Sequence, residues 1–268
     1  MSERKYKFGL STTVDYTVAL EKQMEIIAAS GFEFISLGAD VEHSRYFDSR
    51  AFGNSMKLAA QHSLKIVSAH VPFRNGYDIA AIDVGPARKA VKNVLNFLEW
   101  TNRYGIAAAI VHPHYYFDDG KEACLKRAAN ALEKIIHKRP AGVRVDIENL
   151  PDFRGSWICG HLLDLFGPCD LGFCYDSSHE NMSGPPFHIL QEYWKRITQT
   201  HLSDNNGTSD DHFIPGDGNI NWPALRSYLE KNSDLTEILF EVGTGERLAE
   251  PFESFVRRAS LAARQRFG

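Results

Sequence analysis

Four short stretches, VRVDIE (143–148), LGFCYD (171–176), ITQTH (197–201) and ILFE (238–241), each run through apolar or β-branched residues and stop on a carboxylate or an imidazole. Runs of this length and composition read as buried strands. Burying a charge without a partner is costly, and a single divalent cation satisfies several such groups at once. The shared ending therefore groups Glu148, Asp176, His201 and Glu241 as one expected metal site.

Outward from these stretches, similar runs alternate with longer segments of helical period along the whole chain, the pattern of repeated βα units around a parallel sheet. Strands are expected over 6–10, 33–38, 65–70, 107–112, 143–148, 171–176, 197–202 and 237–242. Helices are expected near 17–30, 49–63, 82–105, 120–138, 156–166, 187–196, 222–232 and 249–265. In the third helix Val91, Val94, Leu95 and Leu98 recur at three- and four-residue spacing, while Arg88, Lys92 and Glu99 fall elsewhere. Gly31, Gly105 and Gly142 stand between helices and following strands, where a left-handed residue commonly stops a helix. No Pro/Ser-rich linker, low-complexity tract or charge shift divides the chain. Eight units without interruption predict an α/β chain forming a single (β/α)8 TIM-barrel domain over 1–268. The rival, an open doubly wound sheet, lacks its usual GxGxxG first turn here.

Composition sets the outer limits. A chain of 268 residues with 43% hydrophobic and 24% charged residues is ordinary for a globular domain, and about 250 residues is the usual barrel size. A net charge of -4 offers no global attraction for nucleic acid or an acidic membrane. Cys124, Cys159, Cys169 and Cys174 form no CxxC pair and are expected as reduced, mostly buried thiols. Met1 to Lys7 is charged and leads straight into a strand, with no room for a signal peptide's apolar segment. No apolar run reaches the roughly 20 residues needed to span a bilayer. A cytoplasmic enzyme is expected.

In a barrel of this type, polar residues ending different strands converge on one mouth. The third strand ends at His70, the fourth leads to His112 and His114, and the fifth to Glu148 and Asn149. The sixth supplies Asp176 and His179, the seventh His201 and Asp204, the eighth Glu241. A long segment after the seventh adds Asp210 and His212, then Gly216, Asp217, Gly218 and Asn219. Any single strand-end histidine is ordinarily satisfied by the backbone. Several unpaired carboxylates at one place would repel one another, so the set jointly points to a cation.

The segments SAHVPF (68–73), VHP (111–113), DIEN (146–149), YDSSH (175–179), HLSD (201–204) and DDHFIPGDGN (210–219) resemble the xylose isomerase-like TIM barrel superfamily along essentially the whole chain. That superfamily includes sugar phosphate isomerases/epimerases and the endonuclease IV type of DNA repair enzyme (AP endonuclease family 2). The resemblance implies metal ligation by Glu148, Asp176, His201 and Glu241, and contact of His179 with substrate. In the repair branch, His70 and His112 would join Glu148 around a second metal, and His179, Asp210 and His212 would hold a third. The chain departs from that branch in HENMSGPP (179–186) and in the acidic SDDH (209–212), since carboxylates beside a phosphate path are unfavourable unless cations neutralise them.

The leading expectation is a divalent-metal-dependent isomerase or epimerase of a small sugar, polyol or sugar phosphate. It would work by proton transfer through a metal-stabilised ene-diolate, with Glu148 and Glu241 as catalytic carboxylates. His70, His112, His114, His179, Asn149 and Phe73 are expected around the substrate, and Mn, Mg, Co or Zn as the metal, with no organic cofactor. The alternative is an endonuclease IV-like Zn-dependent phosphodiesterase at abasic DNA sites. Arg45, Tyr46, Phe47, Phe73, Arg74 and Tyr77 would then insert into a duplex, or else wall a sugar pocket. A third expectation is a non-catalytic sugar or metal binder. Arg74, Lys121 and Arg154 are taken as solvated surface charge, Trp222 as packing the start of its helix, and a homo-oligomer remains open.

Overall fold

Eight parallel strands form the sheet: β1 (Lys7–Ser11), β2 (Phe34–Leu37), β3 (Lys65–His70), β4 (Ala108–Val111), β5 (Arg144–Glu148), β6 (Gly172–Asp176), β7 (Ile197–His201) and β8 (Glu237–Phe240). Their order runs from β7 down to β1 and then to β8. The ring closes where Leu202, just past β7, bridges Phe240: Leu202 N donates to Leu239 O at 3.0 Å, and Glu241 N to Leu202 O at 3.0 Å. The expected (β/α)8 barrel is the fold, in a computed structural model that describes residues 6–74, 76–115, 119–245 and 250–268. The N-terminal segment through residue 5, and position 249 of the last expected helix, lie outside the described residues.

The helices are α1 (Leu20–Ala29), α2 (Ser49–Gln61), α3 (Val84–Arg103), α4 (Lys121–Lys138), α5 (Phe153–Leu165), α6 (Ser177–Ser183), α7 (His188–Tyr193), α8 (Trp222–Leu229) and α9 (Phe252–Phe267). In α3, Val94 and Leu98 are fully buried and Val91 and Leu95 pack against the same core, the face expected from their spacing. Gly31 and Gly105 take the left-handed conformation, with φ of 84° and 69°. Gly142 does not; α4 stops earlier because Arg139 turns extended ahead of Pro140.

Two differences from expectation matter for the mouth. The helix α6 was not foreseen: it has no apolar period and starts because Asp176, ending β6, caps it by accepting His179 N at 2.7 Å. The helix expected over 187–196 is α7 followed by a 3-10 turn at Trp194–Arg196. All four cysteines are free, with only Cys169 exposed. No helix among the described residues is long and apolar enough to cross a membrane.

Candidate metal centre

Strand register brings the four expected ligands together. Asp176 on β6 lies level with His201 on β7, while Glu148 on the neighbouring β5 lies level with Cys174. Ligand atoms of Glu148, Asp176, His201 and Glu241 all fall within 4.8 Å of one another, and all four residues are buried. His201 Nδ1 stands 2.9 Å from Glu148 Oε1 and 2.9 Å from Glu241 Oε2. Asp176 Oδ2 is buried and has no hydrogen-bond partner. Three buried carboxylates around one imidazole, one of their oxygens orphaned, fit a hard divalent cation with mostly oxygen ligation.

The outlying histidines share one arrangement. His70 Nδ1 lies 2.7 Å from Val71 O, His179 Nδ1 2.7 Å from Asn149 O, and His212 Nδ1 2.8 Å from Glu241 O. A carbonyl oxygen only accepts, so each Nδ1 carries the hydrogen. Each Nε2 then faces a carboxylate: His70 reaches Glu148 Oε2 at 3.1 Å, and His179 and His212 reach Asp210 Oδ2 at 3.1 and 3.2 Å. His112 Nε2 joins His70 at Glu148 Oε2, also at 3.1 Å. Such a nitrogen must either bind a second proton or offer its lone pair to a cation shared with the carboxylate. Orientation by a carbonyl behind the ring is the usual support of a metal-ligating histidine.

Protonation energetics follow from this crowding. Burial pushes the Asp176 carboxyl up to about 7, and nearby Glu148, Asp210 and Glu241 push the same way against His179. Burial also raises Glu148, but His201, His112 and His70 outweigh it and hold the carboxyl well below the usual range. Glu241 is brought to about 2, burial being overcome by His201. Burial lowers His212, yet its bond to Asp210 carries it to about 10. Without a cation, protons do the neutralising.

Other expected residues divide. Phe73 is part of the wall, its ring stacked on His112 at 4.6 Å between centroids. Asn149 is not: its amide donates to Asp176 O and accepts from Asp176 N, both at 2.8 Å, which clamps β5 to β6. His114 is also off the wall, buried near the start of α5, where burial lowers it to about 4. Asp204, noted among the polar residues after the seventh strand, serves the loop instead. It accepts from Asn205 N, Gly216 N, Ile220 N and Trp222 Nε1 at 3.0, 2.8, 3.1 and 2.7 Å, so Trp222 is anchored at the start of α8 as expected. The cavity, about 470 Å³, adds wall residues that were not anticipated: Thr13, Asp15, Tyr16, Asp211 and Thr244. They follow β1, β7 and β8, and their only sequence signal was position beyond a strand end.

Residues 24–256 match the family model described as the xylose isomerase-like TIM barrel. The chain belongs to that family. Among sequence relatives of this xylose isomerase-like barrel, an uncharacterized protein of Methanocaldococcus jannaschii is 27% identical over 239 residues, covering 84% of this chain and 80% of its own. Among solved structures, a D-tagatose 3-epimerase-like protein superposes with a TM-score of 0.79 at 22% identity, covering 97% of this chain and 96% of that one. An IolI protein solved with a bound zinc atom gives 0.76 at 16% identity and 97% and 95% coverage. An AP endonuclease, family 2, from Brucella melitensis gives 0.74 at 17% identity and 94% and 96% coverage. At these identities the structural likeness speaks for the fold.

Proposed function

We propose that this protein is a divalent-metal-dependent isomerase or epimerase of a small sugar or polyol. The observation that carries the reading is the pairing of Glu148 and Glu241, delivered by opposite sides of the β6–β7 pair, on one imidazole nitrogen in the cavity at the barrel mouth. The D-tagatose 3-epimerase-like protein among its structural neighbours and the zinc in another agree with it. Glu148, Asp176, His201 and Glu241 would hold the cation, which when bound supplies Lewis-acid polarisation of a carbonyl and an adjacent hydroxyl.

The chain's own groups would do the rest. Against their burial, His201 holds the Glu148 and Glu241 carboxyls below the usual range, which suits a proton acceptor, and they approach a substrate lying across the floor from two directions. One removes a proton beside the carbonyl and passes it to solvent, while the other, having taken a proton from solvent, delivers it to the same carbon from its own side. His179, fixed by Asn149 O, would orient a hydroxyl, and His70, His112 and Phe73 would form the wall. No Lys or Arg lines this cavity among the described residues, which suits an uncharged substrate.

Solvent deuterium exchange into a panel of ketoses tests this directly. Exchange that falls about 10²- to 10⁴-fold in Glu241→Gln supports proton transfer. Binding of a sugar without exchange would instead leave the protein a binder. The endonuclease-like reading has one observation in its favour: His70, His112 and Glu148 are arranged as a further cation position, and His179 and His212 both reach Asp210 Oδ2. Three Zn per chain and cleavage of abasic duplex DNA would favour it; about one metal per chain and no cleavage favours the isomerase.

A further inference from the structure

A second space adjoins the cavity above the metal centre at its aromatic wall. Tyr16, Ala39 and Phe73 line both this cavity and a neighbouring one of about 510 Å³, so the two share that strip as a common border. Val41, Pro72 and Tyr77 add apolar and aromatic lining to the second space, and Asp40, Glu42 and Arg74 add charged groups.

The strip between the two spaces is firmly built. Gly38 O accepts from Ser44 Oγ at 2.7 Å and Tyr46 OH at 2.8 Å, while Gly38 N donates to Thr12 Oγ1 at 2.9 Å. A Cβ at position 38 would lie 2.5 Å from the Tyr16 hydroxyl oxygen, so glycine there is what lets Tyr16 lie against the end of β2. Across from it, Phe73 is stacked on His112, and the Arg74 guanidinium covers the rings of Phe73 and Tyr115 at 5.7 and 5.5 Å. Walls held in place before a ligand arrives cost little to order on binding.

Size and charge say what would fit. The inner cavity alone is in the range that encloses a small ligand, so a single sugar ring leaves the outer space unused. Two carboxylates face one guanidinium in that outer space, which disfavours a phosphate dianion. A lining that mixes apolar and aromatic groups with hydrogen-bonding ones suits a sugar ring, whose faces are apolar and whose edges carry hydroxyls. We infer that the outer space is a second substrate subsite, and that the substrate is a sugar bearing an uncharged, ring-shaped substituent, such as a second sugar unit, remote from its reacting carbonyl. This rests on the isomerase reading above.

The test is calorimetry on the full chain loaded with Mn²⁺. D-Fructose, D-tagatose, D-psicose and D-sorbose are titrated first, then the 6-O-glucosyl and 6-phosphate derivatives of any that bind. The glucosyl derivative is expected to bind at least about ten-fold tighter than its parent, and the phosphate no tighter. Val41→Trp, which fills the outer space, and Arg74→Ala, at an exposed position, should each bring the ratio of glucosyl to parent affinity close to one. A glucosyl derivative that binds no better than its parent, an advantage that survives Val41→Trp, or a phosphate that gains more would overturn the subsite. If Mn²⁺ binds but none of the four ketoses does, the sugar reading itself fails, and the subsite goes with it.

Discussion

Asp176 ends β6 and Asp204 stands three residues beyond the neighbouring β7, both with no exposed surface, yet they are opposites. Each oxygen of Asp204 accepts two hydrogen bonds, gathered from a loop and from the indole of Trp222. Asp176 spends one oxygen on the cap of α6 and leaves the other without a partner, facing Glu148 and Glu241. Residue type and burial therefore do not separate a structural carboxylate from one in a group able to hold a metal. The donor inventory around the group does: a complete set holds a loop, and an incomplete set among like charges calls for a cation.

The sharpest attempt to break this contrast is to delete each carboxylate. Asp204→Ala strands three buried donors and is expected to cost about 3–5 kcal/mol in chemical denaturation, with loss of the loop that carries Asp210 and His212. Asp176→Asn keeps the cap and removes a poorly compensated charge, so the metal-free protein should be no less stable than wild type. An equal loss in both variants would erase the distinction.

Metal should reverse the ranking. At about a hundred-fold excess over its dissociation constant, a cation raises stability by about 2.7 kcal/mol. Wild type should show a gain of this order on Mn²⁺ addition and lose it on chelation, while Asp176→Asn gains less than half as much. Equal gains in the two proteins would remove Asp176 from the ligand set.

Acidity offers a gentler probe. The Asp176 carboxyl is raised to about 7 in the folded chain, so between about pH 4 and 7 the metal-free fold binds more protons at this site than the unfolded chain. That group's contribution to stability is therefore present at low pH and lost as pH rises through about 7, and metal affinity should rise over the same window. The difference in stability between Asp176→Asn and metal-free wild type should consequently widen from pH 5 to pH 8. A difference independent of pH would show that Asp176 titrates normally.

The smallest effect concerns the donor set itself. Trp222→Phe removes one of four bonds to Asp204 and should cost about 1 kcal/mol beyond the ring's packing change. Ser11→Ala removes a longer contact, 3.4 Å to Glu241 Oε1, and should change stability by less than that. If Ser11 proved the costlier loss, the account of which oxygens are well served would need reversing.

Most strand positions were legible because period, β-branched content and punctuation are local properties of a strand. Glu148, Asp176, His201 and Glu241 were legible as a group for a related reason: a charge at the end of a buried run is a local anomaly in four places. The helix α6 was not, since its start depends on one capping oxygen rather than on an apolar face. Asn149 and His114 were expected around the substrate from position alone. Which way each side chain turns depends on partners such as the Asp176 backbone, distant in sequence.

Sequence alone determined that this chain makes eight βα units and ends at least four strands on metal-seeking groups, because alternation and the cost of buried charge are written residue by residue. Tertiary structure alone decided which acids share a site. Asp204 turned to Gly216, Ile220 and Trp222, while Asp176 was left facing two other carboxylates. The reason is geometric: a hydrogen-bond donor 12 to 18 positions away becomes a partner only when the loop folds back, and a carboxylate 65 positions away becomes a rival only when the barrel closes.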